Sequence, residues 1–223
     1  SMHRSAIARA AENLPLFPLP RVALLPHTLL PLNVFEGRYR ALVADAMAGN
    51  RLIGVPMLQD GWEDCYAESP PIHPVFGLGR IVRHHGCADG RCEIVVQGLG
   101  RVRLVEEHQD GGLYRRAKVT LLDGGQGCTP ITPPLRRTLS EMHMSVRQLT
   151  EDRPDVRADV ERLIAADRDP AEQCDVLAHI CVRSPCLRQE YIELEGVEAR
   201  ADFVLGVLTE LRLEEGCCRG IDA

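Results

Sequence analysis

The sequence predicts an α+β protein: a strand-rich first half folded as a small, strongly curved sheet or barrel with one helix, then a helical bundle. Two observations carry this reading. Between residues 79 and 122 apolar and polar residues alternate with period two, broken by Gly-rich corners. From residue 135 the apolar residues recur every three or four positions instead.

Taken in order, residues 1–13 read as a disordered or tag-bearing N-terminus, with Ser1 as a residue left by expression ahead of a native Met2. The β-rich domain spans 14–123. Leu14 to Leu19 is apolar but carries Pro15 and Pro18, which suits an edge or broken strand, because proline cannot donate to a ladder. Glu36 to Ala48 is the one convincing helix of this half, with Tyr39, Leu42, Val43 and Ala46 at helical spacing and Gly49-Asn50 to end it. Arg51 to Leu58 reads as a strand, followed by a long loop through Trp62. Gly79 to His85 and Cys92 to Gln97 flank Ala88-Asp89-Gly90-Arg91, a hairpin turn signal. In that hairpin Cys92, Ile94 and Val96 take one face and Glu93, Val95 and Gln97 the other. Arg101 to Val105 alternates next, with Val102 and Leu104 inward. Tyr114 to Leu122 puts Ala117, Val119 and Leu121 on one face.

Residues 124–134 form a Gly, Thr and Pro linker. In the bundle, 135–215, Leu135, Leu139, Met142, Val146 and Leu149 stripe one helix, and Val156, Val160, Leu163 and Ile164 a second. Asp169-Pro170-Ala171-Glu172 sets an N-cap, a first-turn proline and an N3 acid. Ser184-Pro185 opens a fourth helix, and Phe203, Val204, Val207, Leu208 and Leu211 stripe a fifth. Residues 216–223 read as a flexible tail.

Composition excludes several chemistries. The 223-residue chain is 45% apolar and 26% charged, as in an ordinary globular protein. Its net charge of −6 opposes sequence-independent nucleic-acid binding. No apolar run reaches the roughly 20 residues of a membrane-spanning helix, and a cytoplasmic, bacterial protein is expected. Lys118 is the only lysine and stands in Arg116-Ala117-Lys118-Val119, so the Gly-Lys-Ser/Thr of a phosphate loop is missing. A Ser–Lys dyad would also need Lys118, at mid-strand. Gly-x-Ser-x-Gly and His-Glu-x-x-His are missing too. The expectation is therefore no enzyme and no cofactor.

The nine cysteines are odd in number and lie in a chain without a visible export signal, so they read as reduced thiols. His84, His85, Cys87 and Cys92 have the residue types of a zinc site, but adjacent strand histidines point to opposite faces. A plain exposed hairpin is the better reading. Cys174 and Cys181 share a helix face with Leu177 and read as packing, and Cys217-Cys218 as free thiols. The acid pairs Glu106-Glu107 and Glu214-Glu215 read as solvated surface.

An ordered set of segments is recognisable. Leu16-Phe17-Pro18-Leu19-Pro20, Leu25-Pro26, Leu30-Pro31-Leu32 and Phe35-Glu36-Gly37-Arg38-Tyr39-Arg40 resemble the opening of the substrate-binding N-terminal domain of Lon proteases. Gly77-Leu78-Gly79-Arg80-Ile81, Val96-Gln97-Gly98-Leu99-Gly100-Arg101-Val102-Arg103 and Tyr114-Arg115-Arg116-Ala117-Lys118-Val119 are similar to later parts of it. Looser likeness continues through Asp175-Val176-Leu177-Ala178-His179 and Leu187-Arg188-Gln189-Glu190, so that residues 14 to 213 are covered. The resemblance implies a PUA-like β pseudo-barrel followed by a helical bundle. It also implies binding of protein substrates, and the chain, which ends after the helices, is expected to be a stand-alone member without the ATPase and peptidase domains.

The functional expectation is a module that binds unfolded or partly folded protein segments, as an adaptor or holdase-like factor. A separate ATP-dependent protease or chaperone is the expected partner, and no membrane. Leu29, Leu30, Leu32, Phe35, Trp62 and Phe76 form the expected binding patch, with Trp62 foremost because it stands in the polar loop Asp60-Gly61-Trp62-Glu63-Asp64. RNA binding through Arg80, Arg83, Arg101, Arg103, Arg115 and Arg116 is a rival, if these converge on one face. A small-molecule pocket in the β domain is another, and an unfamiliar hydrolase the last.

Overall fold

The structure is a computed structural model that describes residues 2–122 and 128–219. The chain divides into two compact units, Ser1–Gly127 and Cys128–Ala223. Most of the Gly-rich start of the expected linker lies outside the described residues, as do the side chains of Cys217 and Cys218.

In the first unit, six strands form one antiparallel sheet: β1 (Leu14–Pro15), β2 (Leu29–Val34), β3 (Leu52–Val55), β4 (Val75–Gly86), β5 (Cys92–Glu107) and β6 (Arg116–Leu121). Along the order β1-β6-β5-β4-β3 the sheet curls until its ends meet. Phe17 N–H donates to Gly54 O at 2.8 Å and Leu19 N–H to Pro56 O at 3.0 Å, which closes it into a barrel. The proline-broken run from Leu14 supplies both closing edges, as a central strand could not. β5 is the long spine. The Gly98–Gly100 segment, expected as a corner between two strands, is a bend within one strand, marked by a register shift between Leu78 and Gly79 opposite it. Its burial alternates as the sequence indicates, with Cys92, Ile94, Val96 and Val102 inside.

Helix α2 (Gly37–Ala48) lays Tyr39, Leu42, Val43 and Ala46 on an apolar cluster with Phe17, Val34, Ile53, Ile81, Ile94 and Val96. A second cluster holds Leu14, Leu16, Leu52, Leu58, Ile72, Phe76, Leu78, Val102, Ala117 and Val119. Three elements of this unit depart from expectation. Residues 1–13 carry a helix, α1 (Met2–Ala11), because Ala10 is buried in the second cluster and Ile7 and Ala11 pack beside it. The Trp62 loop contains a 3-10 helix, Trp62–Glu68. β2 is a strand despite Pro31.

The second unit contains α3 (Pro133–Leu149), α4 (Pro154–Leu163), α5 (Pro170–Cys181), α6 (Pro185–Glu193) and α7 (Val197–Arg219). Side-chain caps start three of them. Thr132, Asp169 and Ser184 accept from Leu135 N–H, Ala171 N–H and Leu187 N–H, each followed by proline in the first turn. α7 runs through residues 216–219, where a flexible tail was expected. On α4 the expected stripe is only partly covered: Val156 and Leu163 are exposed, and Ile164 just beyond is buried. Besides apolar residues, α5, α6 and α7 bury a polar group. Asp175 accepts from Tyr191 Oη at 2.6 Å and pairs with Arg200 at 3.2 Å, all three buried.

Candidate protein-binding face

β2 is the element that positions the site. It pairs only with β5 among the described residues, in the register Leu29↔Gln97 through Val34↔Cys92. Gly98 N–H donates to Thr28 O at 2.9 Å, so by alternation Leu30, Leu32 and Val34 turn their backbone groups to β5. Leu29, Pro31 and Asn33 turn theirs to the open edge. Pro31 therefore gives up no ladder bond, which is why a proline is tolerated here and why the sequence hid the strand.

Close approach fixes where β2 begins. A Cβ at Gly77 would lie 2.2 Å from Leu24 O, and one at Gly98 would lie 2.1 Å from Leu25 O. The two signature glycines let the Leu24–Pro26 segment cross directly over β4 and β5 before turning into β2.

Side-chain alternation then sorts the candidate residues. Leu30 and Leu32 are half-buried against the α2 cluster, and Val34 is fully inside. The odd-numbered row points outward: Leu29 is 56% exposed, Pro31 and Asn33 are exposed, and Phe35 just beyond the strand is 65% exposed. At two residues per roughly 6.6 Å, the row runs about 20 Å from Leu29 to Phe35. Beside it, the outer face of the hairpin carries Val95 and Glu93 on β5 and Val82, Arg83 and His85 on β4, where a bulge between Ile81 and Arg83 leaves Val82 exposed. Pro31, Asn33, Arg83, His85, Glu93 and Val95 line an open groove of about 600 Å³, together with Leu32, His84 and Ile94.

Phe76 is a correction. At 1% exposure it is core, its ring packed where a Cβ on Gly54 would lie 2.7 Å away, so it cannot meet a partner in the folded protein. Trp62 is not the free loop residue its polar neighbours suggested. It is half-buried against the second cluster and meets Tyr66 edge-on at 5.6 Å.

The signature Phe35-Glu36-Gly37-Arg38-Tyr39 acquires a structural meaning. Glu36 accepts from Tyr66 Oη and, at 3.0 Å, from Arg38 Nε. The Arg38 guanidinium lies 4.8 Å from the rings of both Tyr39 and Tyr66. Tyr39 stacks on Phe17 at 4.3 Å, and burial pushes its phenol up to about 12. Phe35 is the large side chain of this signature left to solvent.

Other expected groups fall elsewhere. His84 and His85 sit opposite Ile94 and Glu93, on opposite faces, while Cys92 is buried with its thiol pushed up by burial. Among the described residues no three His, Cys, Asp or Glu side chains gather as metal ligands. Cys174 is buried, and burial followed by the Asp175 charge pushes it up to about 12, leaving an inert thiol. Lys118 pairs with Glu12 at 3.1 Å. Glu107, expected as solvated, holds Arg115 in a two-pronged pair at 2.7 and 2.8 Å. Three of the six arginines are engaged within the fold: Arg101 is 4% exposed, Arg115 is paired with Glu107, and Arg116 lies over the Tyr114 ring. Among the described residues no helix is long and apolar enough to cross a membrane.

Residues 13–210 match the family model of the ATP-dependent protease La (LON) substrate-binding domain. The chain belongs to that family. It is 30% identical over 207 residues to the Lon protease of Dictyoglomus thermophilum, covering 92% of this chain and 25% of that protein. It is 27% identical to Lon protease 2 of Myxococcus xanthus, covering 89% and 24%. The chain thus spans about a quarter of the length of these relatives, and the matched region is the substrate-binding domain. Solved structures of Lon N-terminal domains share the fold. The N-terminal domain of a Mycobacterium avium complex Lon protease superposes with a TM-score of 0.68 at 15% identity, covering 89% of this chain and 98% of that one. A Lon N-terminal domain protein from Xanthomonas campestris gives 0.63 at 22% identity, covering 87% and 97%. Membership accounts for the α+β architecture and is consistent with substrate recognition.

Proposed function

We propose that the outward row of β2, with the groove beside it, binds extended apolar segments of unfolded or partly folded proteins. The chain then acts as an adaptor or holdase-like factor without proteolytic or ATPase chemistry of its own. The observation that carries this is the solvent-facing line Leu29, Pro31 and Phe35 on an edge strand of a family whose domain is substrate-binding. Large apolar side chains exposed in a row stand to gain about 25 cal/mol for each Å² a partner covers. Pro31 removes the central N–H of the open edge, so recognition runs through side chains more than through an added backbone ladder. That suits a binder of varied sequences.

The test is a titration of fluorescein-labelled, reduced and carboxymethylated α-lactalbumin, a permanently unfolded protein, against native α-lactalbumin. Binding of the unfolded form alone, lost in Leu29→Asp and Phe35→Asp and kept in Leu113→Asp, supports the reading. Leu113 is the control because it is 75% exposed and lies outside this row. Equal loss in all three variants, or no binding by the wild type, refutes it.

A further inference from the structure

The segment carrying Trp62 is attached to the β unit by few contacts of a particular kind. Both its flanks are in the left-handed region, Gly61 at φ 84° and Ser69 at φ 64°, and the helix between them is kinked at Cys65. None of its residues is buried. Its backbone bond from Asp64 N–H to Gly61 O, at 3.3 Å, stays within the segment. What holds it down is two rings and one polar latch. Trp62 and Tyr66 lean on the second apolar cluster, and Tyr66 Oη donates to Glu36, which is also bound by Arg38. Arg38 in turn stacks on the Tyr66 ring. Burial and then the bond to Glu36 raise the Tyr66 phenol, so it remains a donor at neutral pH.

We infer that Gly61–Ser69 is a strap that opens as a unit about its two left-handed flanks, is held shut by the Glu36–Tyr66–Arg38 latch, and on opening presents the apolar surface beneath Trp62 and Tyr66 to an extended apolar segment. The last part rests on the protein-binding reading. The physical case is one of contrast. A segment with no buried residue and exposed backbone belongs to the least stable class of local structure, and this one covers an apolar cluster that cannot stay bare in water. The latch is charge-assisted and adds to the apolar contacts of Trp62 and Tyr66 in holding the strap shut. Its position also links it to the binding row, because Glu36 directly follows Phe35, so a segment seated on Phe35 abuts the latch.

Trp62 is the only tryptophan in the chain, so its fluorescence reports the strap alone. Hydrogen exchange of residues 62–68 and acrylamide quenching of Trp62 are measured in the full chain, in Tyr66→Phe, and in Tyr114→Phe. The last variant removes a comparable hydroxyl bond, to Asp45 at 2.7 Å, outside the strap. Loss of a hydrogen bond to a charged group predicts about tenfold or greater acceleration of strap exchange in Tyr66→Phe, with stronger quenching and unchanged β4 and β5 amides. Tyr114→Phe leaves the strap as it was. Strap exchange unchanged in Tyr66→Phe, or accelerated in step with β4 and β5, overturns the strap. Carboxymethylated α-lactalbumin should bind Tyr66→Phe several-fold more tightly than wild type. Unchanged affinity despite faster strap exchange overturns the uncovering. No binding to the wild type at all defeats the protein-binding reading, while the exchange data still judge the strap.

Discussion

Phe35→Ala and Trp62→Ala should behave oppositely, and the difference can be worked from burial. Phe35 is 65% exposed, so about a third of its surface is hidden. Complete burial of a phenylalanine is worth about 1.5–3 kcal/mol, so truncation should cost under about 1 kcal/mol of stability. Trp62 is half-buried and meets Tyr66 edge-on. Half of a tryptophan's payload is roughly 100 Å², or about 2.5 kcal/mol, to which the ring pair adds about 1 kcal/mol. In a unit the size of Ser1–Gly127, such a loss lowers Tm by roughly 10 °C. In binding the order reverses in clarity. Phe35→Ala should weaken capture of carboxymethylated α-lactalbumin about tenfold or more, as truncation of an aromatic anchor does, in a protein that melts almost as before. Thermal melts and fluorescence titrations on the same preparations give both numbers. An affinity within twofold of wild type, or a Tm drop in Phe35→Ala matching that of Trp62→Ala, would refute the assignment of Phe35 to the outer row.

Three further outcomes are expected. Gly98→Ala places a methyl 2.1 Å from the Leu25 carbonyl, so urea unfolding should show a loss of about 3 kcal/mol, and β2 amides should lose protection. Asp175→Ala leaves Arg200 and the Tyr191 hydroxyl buried without their carboxylate, a loss of about 3–5 kcal/mol; the double change Asp175→Leu with Arg200→Met should recover much of it in the same melt. His179 has its pKa lowered by burial and then by Arg188, so the folded state binds its proton less readily than the unfolded chain does. Its contribution is intact above about pH 6.5 and is lost as pH falls through the lower folded value; the urea midpoint of His179→Gln should therefore fall less than that of wild type between pH 7.5 and 5.

Much of the molecule was legible because the determining interactions are local. The alternation of β5 and β6, the Asp89-Gly90 turn with Gly90 at φ 81°, and the Asp169 and Ser184 caps each depend on a few neighbouring residues. The family signature was legible too, as an ordered set of segments. The site was legible only in part. Leu29 and Phe35 face solvent and Leu30 and Leu32 half-face the core, yet all four are equally apolar in the sequence.

What the sequence determined by itself was therefore parity: which residues of a strand or helix share a side. Tertiary structure decided which side is covered. Pro31 could join a strand only because β5 lies on the edge that needs no donor from it. Phe76 is core because Gly54 leaves room for its ring, and Trp62 is half-hidden because its loop folds back on a cluster distant in sequence. Asp175, Tyr191 and Arg200 stand far apart along the chain and become one group only when three helices close around them. Periodicity is a property of the chain, whereas burial depends on neighbours that only the packed fold supplies.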